Sequence, residues 1–514
     1  MDQAYLIGLL PLITLVTSFT MPLINYSVKG NRKIIQVVAI IASLIPLTIS
    51  LKLVDLAYST NEVIIYKFGG WPPPIGITYM LDKMNSILIL TTTFLMFLIV
   101  IYSYDYLKKH GGLGWYYTLY FGLETGLLGV LLTGDVFNLF VMIEVVSVAS
   151  YSLVMFYRHR GDSIAAGLKY AFIGSLGTTI YFLALGIIYG VYGTVNLFDL
   201  TCKTHGYPYP YTGLPVGDIV LGSAIALVLV SWTFMIKSGV FPNHFWLPDA
   251  HPAAPTPISA ILSGLVVNVG AYAMFRYIYV IYGGSLGPAL SFVLNIVSTI
   301  LLITGSLSAI IGSLLMHFQT DVKRIIAYST VMHMGYLFMA IGVRSELGAT
   351  AFILHMINHS IAKASLFLAA GVFIYVVGTR YLNKLGGLAQ SLPLATFALA
   401  VSGLNLAGVP PLPVFYSKLV LFNALFQYNI AYAIILVVTS AIALIAYIRI
   451  LYVVIFGSRE VREIGKTPAG IKAVLLLLTI VMIVMGIGIS YIIDMYIYPA
   501  AHQTIDVFNY MIKP

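Results

Sequence analysis

The sequence predicts an all-α, polytopic membrane protein with about fourteen transmembrane helices, two of them broken. Of its 514 residues, 60% are hydrophobic and 9% are charged, and the mean hydropathy is +0.96. This composition leaves too little polar surface to cover a soluble globule of the same length. Apolar runs long enough to cross a bilayer recur along the whole chain, and short basic clusters separate them.

The apolar runs define the predicted helices in order. Each needs roughly 20 residues to cross about 30 Å of hydrocarbon. Their centres lie near residues 14, 43, 92, 123, 146, 177, 227, 268, 301, 332, 362, 404, 442 and 484. The first run lacks the basic region of a signal peptide, so we expect it to be a retained span. Residues 191–215 have the glycine, proline and tyrosine content of a turn or hairpin, and no segment resembles a soluble domain.

Basic residues indicate the orientation of the chain. The clusters that follow alternate spans are Lys29, Arg32 and Lys33; Lys108 and Lys109; Arg158 and Arg160; Lys323 and Arg324; Arg380 and Lys384; and Arg459, Arg462 and Lys466. The opposite loops carry few cations, mainly Lys67, Lys203 and Arg344. The positive-inside rule therefore predicts a cell-membrane protein with both termini outside. These clusters also account for the net charge of +9, so nucleic-acid binding is not expected.

Two predicted spans are interrupted by prolines next to a lysine. The seventh runs into IKSGVFPNHFWLPDAHPAAPTPISA, which places Lys237 and the secondary candidate His244 at the break. The twelfth contains GVPPLPVFYSK, in which three prolines break the apolar run and Lys418 follows them. An ordinary proline kink accounts for one such break. Two breaks five spans apart, each with a lysine, favour an inverted-repeat transporter whose site lies at the broken helices.

A carboxylate lies deep in the fifth span. Glu144 follows Asp135 by about 13 Å of helix, which places it near the bilayer midplane. It is either a neutral packing residue or a charge that shares the membrane interior with Lys237 and Lys418, since opposite charges reduce the cost of each other's burial. Lys169, in the sixth span, either snorkels to the interface or couples to Glu144.

The eleventh span places His355, His359 and Lys363 on one helical face, at positions i, i+4 and i+8. Two histidines four residues apart can bind zinc, but the span offers no cysteine or carboxylate, and lysine is a poor metal ligand. A row of proton-exchanging groups is favoured over structural polar packing, and a metal site is the weakest alternative. His333, in the tenth span, is a secondary candidate, since alone it reads as a core histidine. Arg276 is expected to snorkel from the end of its span.

Several long stretches resemble the antiporter-like subunits shared by Mrp-type cation/proton antiporters, membrane-bound hydrogenases and respiratory complex I. The likeness covers about residues 75–455 and rests on DVFNLFVMIEVVSVASYSLV, IKSGVFPNHFWLPDAHPAAPTPISAIL, QTDVKRIIAYSTVMHMGYLFMAIG, HSIAKASLFLAAG and GVPPLPVFYSKLVL. The resemblance implies fourteen core helices, two inverted five-helix repeats and a midplane row of charges. By position, that row matches Glu144, Lys237, Lys363 and Lys418.

The sequence departs from the resemblance in the eighth span. Many relatives carry histidine or lysine where this chain has Ser263 and Asn268. Neither side chain exchanges protons readily, so the link between the halves either relies on water near Asn268 or is broken. The chain ends soon after the fourteenth span, without the long lateral helix of the largest complex I homologue, which favours a D-type Mrp subunit or its hydrogenase counterpart. The expected organisation is N-terminal helices at 1–110, a first repeat at 111–283, a second at 284–457, and a C-terminal helix and tail at 458–514.

The predicted function is translocation of protons, with or without Na⁺, by one component of a multi-subunit membrane complex. The chain carries no motif for a flavin, quinone, haem or nucleotide, and its one cysteine, Cys202, can neither close an internal disulfide nor hold an iron–sulfur cluster. No cofactor or metal is expected, and any redox chemistry would belong to partner subunits. Two alternatives stay open at this point, a stand-alone secondary transporter for a small solute and a structural membrane scaffold. The sequence does not distinguish H⁺ from Na⁺ or one host complex from another.

Overall fold

The computed structural model describes residues 3–108, 110–207, 213–458 and 465–511. Lys109, Arg459 and Arg462, which belong to the basic clusters above, lie outside the described residues. The described part is a bundle of helices, and twelve of them are long and apolar enough to cross a membrane. The predicted all-α, multi-pass membrane architecture is confirmed, whereas the number fourteen stays a prediction.

The N-terminal region consists of two long helices and a small sheet. Helices α1 (Tyr5–Ser27) and α2 (Arg32–Tyr58) are followed by the antiparallel strands β1 (Ile64–Lys67) and β2 (Thr78–Leu81) and by helix α3 (Lys83–Tyr106). Asp82 begins α3 with a capping box, because its carboxylate accepts the Asn85 N–H while the Asn85 side chain accepts the Asp82 N–H. The sequence did not predict this sheet.

The first half of the bundle contains α4 (Leu113–Leu132), α5 (Val136–Val154), α6 (Gly161–Tyr192), the short α7 (Leu197–Thr204) and α8 (Ile219–Ser238). Helix α7 lies in the stretch where a turn or hairpin was expected, so that prediction was wrong. The helix begins there because the Asn196 side chain accepts the N–H groups of Phe198 and Asp199. Residues 208–212 of the same stretch lie outside the description.

The central spans continue from α8 through α9 (Leu247–Ala253), α10 (Thr256–Ile261) and α11 (Asn268–Arg276). The span from Thr256 to Ile281 has a fully buried apolar window, so it forms the core of the bundle. Arg276, toward the C-terminal end of this span, is 3% exposed and pairs with Asp82 at 2.6 Å. The expectation that Arg276 snorkels to the interface is therefore wrong, because its carboxylate partner lies inside the protein.

The second half contains α12 (Pro288–Leu315), α13 (Val322–Val343), α14 (Glu346–Val377), α15 (Pro393–Ala407), α16 (Pro413–Tyr428) and α17 (Ile430–Phe456), followed by α18 (Ala469–Ile487), α19 (Ile489–Ile492) and α20 (Tyr498–Ile505). Glycines bring α12 and α13 together. A Cβ on Gly305 would lie 2.7 Å from the Gly335 carbonyl oxygen, so the two backbones touch where only glycine fits.

In the helix pairs α5–α6 and α13–α14, an equivalent backbone hydrogen bond links the start of the first helix to the segment after the second. The N–H of Val136, at the start of α5, donates to the carbonyl of Val195 beyond α6 at 2.8 Å. The N–H of Val322, at the start of α13, donates to the carbonyl of Arg380 beyond α14 at 3.0 Å. Helices α6 and α14 each contain 32 residues. The two halves therefore repeat one local arrangement.

Candidate functional site

The first broken helix ends directly after Lys237. Helix α8 stops because Gly239 adopts a left-handed conformation with φ of 64°, which side chains other than glycine rarely adopt. The Ile236 carbonyl freed by the break accepts the indole N–H of Trp246 at 3.0 Å. This hydrogen bond stabilises the break. Lys237, next to it, lies in the interior with 7% exposure.

Lys237 faces the helix that carries Glu144. Its Nζ donates to the Ser147 Oγ at 2.8 Å. Ser147 lies three residues after Glu144, about one helical turn away on α5. The Glu144 Oε1 is buried without a hydrogen-bond partner, and its carboxylate is near enough for its charge to act on Lys237. The structure therefore places Lys237 against the helix that carries Glu144, with the Ser147 hydroxyl as its hydrogen-bond acceptor.

Neutral polar groups occupy the positions where a histidine or lysine is expected from the resemblance. Ser263 and Thr330 share a hydrogen bond of 2.7 Å between their hydroxyl groups. The Asn268 Nδ2 donates to the Ser360 Oγ at 2.8 Å and to the Gly264 carbonyl at 2.7 Å. A cavity of about 20 Å³ lies beside Asn268 and Ser360, which is room for roughly one water molecule.

Three histidines cluster in the second half. The His333 Nδ1 on α13 lies 3.0 Å from the His355 Nε2 on α14, and the His355 Nδ1 lies 2.9 Å from the Ser417 Oγ on α16. Both ring nitrogens of His359 are buried without a hydrogen-bond partner, and its ring centre lies 5.2 Å from that of His333. The secondary candidate His333 is thus a direct neighbour of the predicted row.

Lys363 lies two turns beyond His355 on α14 and is fully buried. Its Nζ donates to the Ile326 carbonyl at 3.1 Å and to the Ser329 hydroxyl, both on α13. Within the described residues, no group of three His, Cys, Asp or Glu side chains is arranged to hold a metal ion. The cluster consists of nitrogen groups and hydroxyls that can exchange protons with one another or through water.

Lys418 lies at the second broken helix. Helix α15 ends because Gly408 adopts a left-handed conformation with φ of 87°. The Lys418 Nζ, which reaches back from α16, donates to the carbonyls of Leu406 and Ala407, both at 2.9 Å. It also lies 5.5 Å above the centre of the Tyr336 ring. Helix-end carbonyls and an aromatic face therefore hold this charge inside the protein.

Two secondary candidates lie in different surroundings. Lys169 pairs with Asp249 at 2.6 Å, and both side chains are about one-third exposed. Its ion pair is thus with a surface carboxylate rather than with Glu144. His244 lies in the break after α8, and its Nδ1 is buried without a hydrogen-bond partner. A role for either residue in translocation stays a prediction.

Glu124 on α4 is a buried carboxylate that the sequence interpretation missed. It is 0% exposed, and both of its oxygens are without a hydrogen-bond partner in the described structure. Helix α4 packs against α5, the helix of Glu144. The signal was present in the sequence, since a single carboxylate within YFGLETGLLGV meets the criterion that identified Glu144.

The sequence is similar to membrane proteins of two kinds. The family described as NADH:quinone oxidoreductase/Mrp antiporter, TM, matches residues 133–443. The D-type component of the Na⁺/H⁺ antiporter of Alkalihalophilus pseudofirmus is 30% identical over 426 residues, which cover 82% of each chain. The N-type component of the NADH-quinone oxidoreductase of Desulforudis audaxviator is 32% identical over 392 residues, which cover 75% of this chain and 74% of that one.

Solved structures of two membrane complexes contain similar chains. One is the membrane-bound sulfane sulfur reductase, an archaeal respiratory membrane complex, with 27% identity, a TM-score of 0.89 and coverage of 98% of both chains. The other is the Mrp complex of Dietzia sp., with 25% identity, a TM-score of 0.85 and coverage of 99% of both chains.

Proposed function

The chain belongs to the NADH:quinone oxidoreductase/Mrp antiporter family of membrane subunits, and we propose that it translocates protons, alone or in exchange for Na⁺, within a multi-subunit membrane complex. The relatives described above are subunits of a Na⁺/H⁺ antiporter and of an NADH-quinone oxidoreductase, and similar chains occur in the Mrp and sulfane sulfur reductase complexes. The observation that carries the proposal is the interior row of titratable side chains between the two broken helices.

The proposed route follows that row. Protons are taken up in the half that contains Glu144 and Lys237, and they are released near Lys418. Between these points the His355, His359 and Lys363 face exchanges protons across α13 and α14. At the second break the carbonyls of Leu406 and Ala407 stabilise the Lys418 charge, and at the first break the Ser147 hydroxyl accepts from Lys237, which supports the assignment of both break lysines to the route.

The proposed organisation keeps the predicted boundaries, with repeats at 111–283 and 284–457 between flanking segments at 1–110 and 458–514. The matching closures of α5–α6 and α13–α14 support this division. Both broken helices also end at a left-handed glycine followed by proline, with a lysine within reach of the break.

The proposed orientation places both termini outside the cell membrane. Basic residues of the clusters meet on one face of the bundle, where Arg324 pairs with Asp249, and Arg160 and Arg380 both pair with Asp162. We assign this basic face to the cytoplasm because cytoplasmic loops are enriched in lysine and arginine.

The function is tested by proton flux through the assembled complex in proteoliposomes under an imposed membrane potential. Lys418→Met removes the charge at the second break, and we expect it to abolish most of the flux while the subunits still co-purify. Lys52→Met is the matched control, since Lys52 lies in a membrane span but is exposed on the surface of the bundle. A Lys418→Met complex with flux equal to the control would refute the proposal.

A further inference from the structure

A cavity of about 480 Å³ opens on the basic face between the ends of several helices. Its lining includes Tyr106, Tyr157, Arg160, Lys323, Tyr375 and Arg380. Arg380 of this lining pairs with Asp321 at 2.5 Å, and Arg160 pairs with Asp162 at 2.6 Å. Burial raises the pKa of the Asp321 carboxyl, although the Arg380 guanidinium favours its ionised form.

Lys323 lies at the inner wall of this cavity and has a different environment from the arginines. It is 4% exposed, and its Nζ donates to the Ala254 carbonyl at 2.9 Å and to the Ser259 Oγ at 3.1 Å. Among the described residues its direct partners are these neutral oxygens. A cavity large enough for several waters thus ends at a buried amine whose hydrogen bonds in the described structure are to neutral oxygens, while the charges of Asp321, Arg380 and Arg160 act on it from farther away.

His251 lies behind Lys323, on α9. It is fully buried, and its ring nitrogens have no hydrogen-bond partner within 3.5 Å in the described structure, while the Ser259 backbone lies near enough to interact with the ring. Its carbonyl accepts the Ser259 hydroxyl at 2.7 Å, the same hydroxyl that accepts from Lys323. Its ring stacks on Phe367 of α14 at 5.1 Å, one turn beyond Lys363. The charged groups that act on His251 are Lys323 from α13 and Lys363 from α14.

Lys323 and the carbonyl that accepts from Lys363 lie one turn apart on α13. Ile326, whose carbonyl accepts from the Lys363 Nζ, follows Lys323 by three residues, which is about 4.5 Å along α13. The Lys323 amine, the buried His251 ring and the Lys363 amine therefore form a short series between the cavity and the interior row. The series joins the row beyond the neutral positions Ser263 and Asn268.

We propose that this cavity is a second proton-uptake site, from which Lys323 and His251 pass protons to Lys363. In the first transfer a cavity water breaks one O–H bond and the neutral Lys323 amine forms one N–H bond; each later transfer breaks one N–H bond on the donor and forms one on the acceptor. His251 accepts at one ring nitrogen and releases from the other. This inference rests on the proposed function, since it supplies protons to the row described above, and it lets the second half reload without a transfer across Asn268.

The test uses His251→Gln, Lys323→Gln and Lys323→Arg in the assembled complex, with proton flux measured in proteoliposomes. We expect each variant to lower the flux about tenfold or more. Lys323→Arg is the discriminating variant, because a guanidinium keeps the positive charge but does not release its proton. Normal flux in Lys323→Arg would show that Lys323 acts only as a charge and would overturn the transfer step, and normal flux in His251→Gln would overturn the route.

Chemical modification of an introduced cysteine tests the proposal if these variants fail to assemble. Thr379 lines the cavity. In a Thr379→Cys complex, modification of the cysteine by a charged thiol reagent added on the basic face is expected to inhibit the proton flux. Lys384→Cys, exposed on the same face but outside the cavity lining, is the control and should be modified without inhibition. Modification at position 379 without inhibition would overturn the proposal. These outcomes can be distinguished from failure of the proposed function itself, because in that case the Lys418→Met complex would also conduct protons normally.

Discussion

Ser147 provides a sharp test of how Lys237 is held. Replacing Ser147 by alanine removes the hydroxyl that accepts the Lys237 Nζ at 2.8 Å, in a site where the serine is 4% exposed. A hydrogen bond to a charged group contributes about 1.5–3 kcal/mol, which corresponds to roughly 10- to 150-fold in a rate that depends on the contact. We therefore expect Ser147→Ala to slow proton flux through the assembled complex by about that factor.

Two neighbouring substitutions serve as controls for Ser147→Ala. Ser147→Thr keeps the hydroxyl, so the flux should stay near that of the unmodified complex. Ser150→Ala removes a buried hydroxyl of the same helix that does not accept from Lys237, so it should have little effect on the flux. Proton flux in proteoliposomes, normalised to the amount of co-purified protein, gives the comparison. Equal rates for Ser147→Ala and Ser147→Thr would refute the role of the contact.

Three further predictions concern the buried carboxylate, the partners and the orientation. Glu124→Gln should lower proton flux severalfold if the unpartnered Glu124 carboxylate takes part in transfer, and unchanged flux would make it a packing residue. The isolated chain in liposomes should show no antiport against a pH gradient, whereas exchange by the pure chain would favour a stand-alone transporter. A cysteine at Lys384 should resist an impermeant thiol reagent in intact cells while one at Glu346 reacts, and the reverse pattern would overturn the orientation.

Local sequence patterns were sufficient to predict the candidate residues that lie at a helix break or share one face of a single helix. Proline next to lysine identified Lys237 and Lys418, and the structure explains why, since each lysine lies at a break marked by a left-handed glycine. The i, i+4, i+8 spacing identified His355, His359 and Lys363 on one face. Each of these signals is contained within one helical span, so no tertiary information was needed.

Contacts between distant parts of the chain could not be predicted in this way. The pairing of Arg276 with Asp82 joins two spans that are far apart in sequence, and an isolated span-end arginine is indistinguishable from one that snorkels. The contact between His333 and His355 depends on how α13 packs against α14. The cavity that ends at Lys323 is assembled from five separate segments, so it exists only in the folded chain.

The double-mutant cycle of Glu144 and Lys237 tests the central claim most directly. Proton flux is measured for complexes with Glu144→Gln, Lys237→Met and both substitutions, after co-purification shows that each complex assembles. If the two residues act as one coupled unit, each single substitution abolishes most of the flux and the double variant is little worse than either. Normal flux in both single variants, or losses that add in the double variant, would contradict the account.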